Sequence, residues 1–294
     1  TSIKDGFSNF EIKKTYNHSN KKSNLSGFMD LTKIRFKIPE FNFTKEADKK
    51  SLTNFDLIFS LNNYFDIKKL KLISENNKII ISDLKLNKEF EVVDFKKIEI
   101  KTHLKKDINN DFIMTKNKEI VVKGNIFDAE PLLKSLHKNN KKKTFSKKFN
   151  SKIKINFDNV ITGTNDNVSS FVTIGSITNG SFEKLSLKGN FSNNEILEIS
   201  IYKINNDKKT LHVISDRARP FVKNFNFIKG FEGGKLEYES VISKKVTNSN
   251  LLITDFNVSE VPALAKLLTL ASLQGIADTL NGEGISFESF EMKA

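Results

Sequence analysis

Residues 152–157 read KIKINF: Lys152, Ile153, Lys154, Ile155, Asn156, Phe157. Successive side chains of a β-strand point to opposite faces, so apolar residues at every second position predict a strand with one oily and one wet face. The alternation returns at Lys97-Ile98-Glu99-Ile100-Lys101, Lys184-Leu185-Ser186-Leu187-Lys188, Glu198-Ile199-Ser200-Ile201-Tyr202 and Lys235-Leu236-Glu237-Tyr238-Glu239. Between such runs stand Glu75-Asn76-Asn77-Lys78, Asn193-Asn194 and Asn205-Asn206-Asp207-Lys208, clusters that suit hairpin turns. The expected fold is mainly β, a long antiparallel meander with one apolar face.

Helical patterns interrupt the meander rarely, and three share a form. They are Asp128-Ala129-Glu130-Pro131-Leu132-Leu133, then Asp216-Arg217-Ala218-Arg219-Pro220-Phe221-Val222, then Ser259-Glu260-Val261-Pro262-Ala263-Leu264. Each offers a capping Asp or Ser, a Pro where the first turn tolerates a missing N–H, and an oily doublet. The recurrence suggests an internal structural repeat. The stretch HKNNKKKTFSKKFN, residues 137–150, reads as a linker or a solvated loop. It divides the chain into a first β segment, 1–140, that ends in a short helix, and a second, 141–294, with helical inserts near 216–226 and 259–281. A single continuous domain cut from a longer chain is the alternative. Thr1 in place of Met and a final strand-like run without a closing turn point to such a cut, with any signal peptide or anchor outside the segment.

The net charge of +13 over 294 residues raises nucleic acid as a partner, but the charge is almost all Lys. Arg occurs only at Arg35, Arg217 and Arg219, so the planar fork that reads bases and phosphates is scarce. Nucleic acid is therefore set aside, while Lys21-Lys22 and Lys141-Lys142-Lys143 remain able to touch anionic lipid headgroups. With no Cys there is no disulfide, thiol nucleophile or Cys zinc site. His18, His103, His137 and His212 lack metal-pair spacing, and no nucleophile elbow or Walker loop appears. No metal, no cofactor and no catalytic residue is expected. Gly230-Phe231-Glu232-Gly233-Gly234 and Gly282-Glu283-Gly284 each follow a helical pattern and precede a strand, which suits a left-handed cap and not a phosphate cradle.

The most apolar stretch, from Val261 to Leu280, has about the 20 residues a bilayer crossing needs. It also holds Lys266, Gln274 and Asp278, and a charge at the bilayer centre costs about 2.5 to 3.5 kcal/mol. A helix covering a sheet fits better: Leu264, Leu267, Leu268 and Ala271 share a face that Leu270, Leu273, Ala277 and Leu280 widen, with a division at Gly275.

The run Asp255-Phe256, Pro262-Ala263-Leu264-Ala265-Lys266-Leu267-Leu268, Ala271-Ser272-Leu273, Gly275-Ile276 and Gly282-Glu283-Gly284-Ile285-Ser286-Phe287 resembles the AsmA-like C-terminal region of YhdP, AsmA and TamB-type bacterial envelope proteins. Gly230 to Leu236 and Gly124 to Leu133 resemble further parts of it, and Met29-Asp30-Leu31-Thr32 with Ile38-Pro39-Glu40 matches more weakly. The resemblance implies a β-sheet curled into a U-shaped, taco-like groove, in a periplasmic protein anchored in the inner membrane outside this segment. It implies phospholipid movement between inner and outer membranes, with acyl chains as the partner and no enzymatic step. Such a groove needs a continuous oily face, for which Ile153, Ile155, Phe157, Leu185, Leu187, Ile199 and Ile201 are the candidates. The same alternation would also fill a closed sandwich core. A periplasmic scaffold for outer-membrane biogenesis, docking envelope proteins, is the alternative function.

Overall fold

Cross-strand partners fall apolar on apolar: Ile100 lies opposite Ile79 on one neighbouring strand and opposite Phe112 on the other. The computed structural model describes residues 2–60, 64–136, 144–205, 207–222, 230–243, 246–259, 273–277 and 285–294. They fall into two units. One takes Thr1–Pro131, Asn140–Phe157 and Ile177–Ser181, the other Leu132–Asn139, Asp158–Ser176 and Phe182–Ala294. The fold is mainly β and mostly antiparallel, with two short α-helices among the described residues.

The first unit opens with β1 (Ser2–Asp5), β2 (Asn9–Asn17), β3 (Lys22–Asp30), β4 (Arg35–Ile38) and β5 (Phe43–Lys45). It continues with β6 (Ser51–Ser60), β7 (Tyr64–Ser74), β8 (Asn77–Leu86), β9 (Val92–Asp94), β10 (Lys97–Leu104), β11 (Asp107–Lys116) and β12 (Ile120–Asp128). Strands β1, β4 and β5 form a small sheet. The rest pair in the order β2, β3, β6, β7, β8, β10, β11, β12, with β9 beside the end of β8. Because directly opposed residues share a face, the register builds an apolar layer across this run. It passes from Leu25 by way of Leu57 and Ile67 to Leu84 at one level, and from Leu72 through Ile79 and Ile100 to Phe112 at another. Glu99, Lys69, Lys71 and Lys123 fall on the other face.

Two polar devices hold the small sheet and its loop. Lys45 is 2% exposed, and its ammonium donates to the carbonyls of Leu31, Thr32 and Ile34 at 2.5, 2.6 and 2.9 Å. Asn109 and Asn110 are buried and both donate to the Phe41 carbonyl, at 3.0 and 2.9 Å. Asn109 also donates to Asp128 at 3.1 Å, and Asn110 accepts the Asp128 N–H at 3.0 Å, so each buried amide is satisfied.

The chain then forms α1 (Glu130–Leu136), entered as its sequence suggests, with the Asp128 carboxylate accepting the Glu130 N–H at 3.1 Å. Of the expected linker, 137–143 lies outside the described residues. Residues 144–149 are docked: the Ser146 N–H donates to the Val92 carbonyl, and Phe149, 2% exposed, stacks on Phe145 with centroids 4.5 Å apart.

Strands β13 (Ser151–Ile161), β14 (Val168–Thr178) and β15 (Ser181–Asn190) follow, each with residues in both units. The second unit continues with β16 (Ile196–Lys203), β17 (Lys208–Ser215), α2 (Arg219–Val222), β18 (Phe231–Ser243), β19 (Thr247–Val258), β20 (Leu273–Ala277) and β21 (Ile285–Lys293). They pair antiparallel in the order β15, β16, β17, β18, β19, β21, β20.

Here three expectations are corrected or cut short. The C-terminal helix does not extend over 273–277, where β20 is a strand with Leu273 opposite Phe290 and Ala277 opposite Ser286. Gly275 sits at its centre, and Gly costs a helix about 1 kcal/mol relative to Ala, while β21 supplies a backbone ladder. Residues 260–272 and 278–284, with Leu264, Leu267, Leu268 and Leu270 of the expected helical face, lie outside the described residues. The middle helix is described only as Arg219–Val222, since 223–229 are also outside. Gly233 and Gly234 do not cap a helix. They lie inside β18, at φ of 72° and 80°, opposite an irregular step where Asp255 takes φ of 55°.

Candidate apolar binding site

The second unit carries the candidate site on one face of its sheet. Leu197, Ser215, Leu236, Ile253 and Phe290 stand in one row across β16, β17, β18, β19 and β21. Ile199, Val213, Tyr238, Leu251 and Met292 make the next row. Ile201, Leu211, Ser240 and Ser249 make the third, with Ala294 joined to Ser249 by a pair of backbone hydrogen bonds. The opposite face takes Glu198, Ser200, His212, Glu237, Glu239 and Asn250.

Above these rows is a cavity of about 540 Å³, within the size range of small-molecule sites. Its floor is Ile199, Leu211, Val213, Leu236, Tyr238, Leu251, Ile253 and Met292, and its wall is Pro220, Phe221 and Val222 of α2 with Leu133 of α1. Among the described residues no charged side chain lines it. The polar lining groups are the Tyr238 hydroxyl, which donates to Ser249 Oγ at 3.0 Å, and Ser249 itself, which shares a 3.0 Å hydrogen bond with Ser240.

The α2 wall is tied down at several points. The Ala218 N–H donates to the Gly234 carbonyl at 2.8 Å, and the Ile196 N–H donates to Asp216 at 2.8 Å. Arg217 pairs with Glu195 and Arg219 with Asp166, each at 2.7 Å. Beneath the wall lies a closed core. Phe256 stacks between Phe231 and Phe287 with centroids 5.1 and 5.0 Å away, and Ala218, Val222, Ile253, Val258 and Phe290 join it, together with Val213 and Leu236 of the cavity floor.

Of the residues proposed for an apolar groove, Ile199 lines the cavity. Ile201 is half-buried on the same face, with Leu185 opposite it and Leu187 opposite Ile199. Those four are brought together. Ile153, Ile155 and Phe157 belong to the other unit. Ile153 and Phe157 are 6% and 4% exposed, and Phe157 is packed against Phe112 and Phe127 with centroids 5.7 and 5.2 Å away. These two are core residues there, and Ile155 is half-buried.

The apolar alternation of residues 235–239 contains Leu236 and Tyr238, but the hydroxyl set at Tyr238, Ser240 and Ser249 depends on the register of β18 against β19. No signal in the sequence fixes that register. Among the described residues no group of three or more His, Asp or Glu side chains is arranged to hold a metal ion, and no helix is long and apolar enough to cross a membrane. No protein-family model, curated protein or solved structure compared with this chain matches it.

Proposed function

We propose that this chain is the lipid-handling part of a bacterial envelope protein, one that holds phospholipid acyl chains on an apolar sheet face while they pass between inner and outer membranes. In this reading the sheet curls into a U-shaped groove, as in the AsmA-like region its motifs resemble. An anchor elsewhere in the full protein keeps it on the periplasmic side of the inner membrane. No chemical step is involved, since an aliphatic lining lets a chain slide without breaking directional bonds.

The observation that supports it is the apolar cavity of the second unit. A closed core would bring those rows into contact with an opposing layer at close-packed density, whereas about 540 Å³ stands over Ile199, Val213 and Leu251. The test is solvent extraction of the purified protein followed by mass spectrometry. Phospholipid in near-stoichiometric amount is expected, and its loss on Leu251→Asp is expected with it. A lipid-free wild-type protein would remove the support.

The scaffold reading draws on a different observation. Strand β2 is exposed along its whole length, and Phe7, Phe10 and Ile12 are 69%, 62% and 42% exposed, an apolar surface suited to a protein partner. Recovery of one defined envelope protein, lost on Phe10→Asp and accompanied by no lipid, would favour it.

A further inference from the structure

We infer that the cavity takes a single acyl chain tail-first, its terminal methyl at Phe221 and an uncharged ester or hydroxyl oxygen of the same molecule at the hydroxyls of Tyr238 and Ser249. This rests on the acyl-chain reading above and adds an end-to-end direction to it.

The two ends of the cavity differ in burial and in polarity. At the first, Val222 and Leu236 are 3% and 5% exposed, and the backbone bond from Ala218 to Gly234 with the two arginine pairs fixes the wall in place. Among the described residues that end is lined by Pro220, Phe221, Val222 and Leu236. At the second end Ile201, Leu211 and Ser249 are half-buried, and the hydroxyls of Tyr238 and Ser249 line the cavity.

Those hydroxyls have one donor to spare. Three O–H groups share two hydrogen bonds: Tyr238 donates to Ser249, and one bond joins Ser249 and Ser240. Ser240 is 1% exposed and does not line the cavity, so leaving its O–H unspent would cost most. Ser240 donating to Ser249 leaves the O–H of Ser249, which does line the cavity, without an acceptor among the described residues. An unspent donor beside an apolar cavity favours a ligand oxygen. With no charged side chain in the lining among the described residues, a phosphate or carboxylate inside would lose its hydration without compensation there. The charged part of an amphiphile therefore stays beyond the hydroxyls, and the tail points to Phe221.

The chain has no Trp, so Phe221→Trp and Leu251→Trp each report through a single indole, with Met292→Trp standing in for the latter if it folds poorly. Each is titrated with phosphatidylcholine brominated near the methyl end or near the carboxyl end of its acyl chain. Methyl-end bromine is expected to quench the indole of the Phe221→Trp variant more strongly, and carboxyl-end bromine that of the Leu251→Trp variant. The Ser240→Ala, Ser249→Ala double variant is expected to bind phosphatidylcholine up to about tenfold more weakly, the worth of one hydrogen bond. Equal or reversed quenching, or an unchanged affinity of the double variant, would overturn the orientation while leaving acyl-chain binding intact. No quenching in any variant would overturn both readings.

Discussion

A Cβ added to Gly234 would lie 3.0 Å from the Cβ of Phe256, with the Phe231 ring and the Ala218 methyl at 3.2 and 3.3 Å. The close approach lets β18 pass over the phenylalanine stack on which the α2 wall is built. Gly234→Ala adds crowding to the strain of a left-handed backbone, φ of 80°. It is expected to cost about 2 to 4 kcal/mol in urea denaturation. Gly233→Ala, whose nearest neighbour is the Asp255 carbonyl at 3.4 Å, is expected to cost about 1 to 2 kcal/mol from strain alone. The opposite ranking would contradict this account of the pair.

Phe157 and Ile201 read alike in the sequence and differ in the structure. Phe157→Ala opens a hole among packed rings and is expected to destabilise by about 3 to 5 kcal/mol. Ile201→Ala trims a half-buried side chain and is expected to cost about 1 kcal/mol. Thermal or chemical unfolding of the two variants separates the packed core from the half-buried sheet face.

Lys45 ties three carbonyls to one buried ammonium. Lys45→Met leaves them without that donor, at an expected cost of at least about 2 kcal/mol. Burial lowers the Lys45 pKa below its ordinary 10.5, so just below pH 10.5 the unfolded chain holds this proton more firmly than the folded one. Stability from this group therefore rises with pH through that alkaline window. Denaturation of wild type and Lys45→Met at neutral and alkaline pH is expected to show the gap between them widening, and a narrowing gap would reverse the sign.

Glu99 behaves oppositely. Its carboxylate is hydrogen-bonded by Lys78, and Lys97 lies at 3.1 Å. Those partners lower its pKa below the ordinary 4.5. The stabilisation is present above pH 4.5 and is lost as pH falls through the lowered value. Glu99→Gln is expected to be less stable than wild type at neutral pH and to lose less on acidification. Parallel acid profiles would contradict it.

The strands were legible because period-two alternation states which residues share a face, and the runs around Ile98, Ile153, Leu185, Ile199 and Leu236 all lie in strands. Alternation does not state which strand pairs with which or in what register. Tyr238 and Ser249 could therefore not be brought together from sequence. Asn109-Asn110 resembles a turn, yet a carbonyl of a distant loop satisfies both amides inside β11. Lys45 resembles a wet-face residue, yet its ammonium has carbonyl partners that no local pattern announces. The apolar run containing Leu273 suits a helix by composition, while 273–277 forms a strand, because pairing with β21 outweighs local preference around Gly275.

The proposed contact with acyl chains is made by the row through Ile199 and Leu251. It is tested most directly by a photocrosslinking amino acid at Ile199 or Leu251, with His212 and Glu239 on the opposite face as controls, in the full-length protein in living cells. Phospholipid adducts at Ile199 and Leu251 and none at His212 and Glu239 are expected. Adducts absent from the first pair, or equal on both faces, would contradict the account.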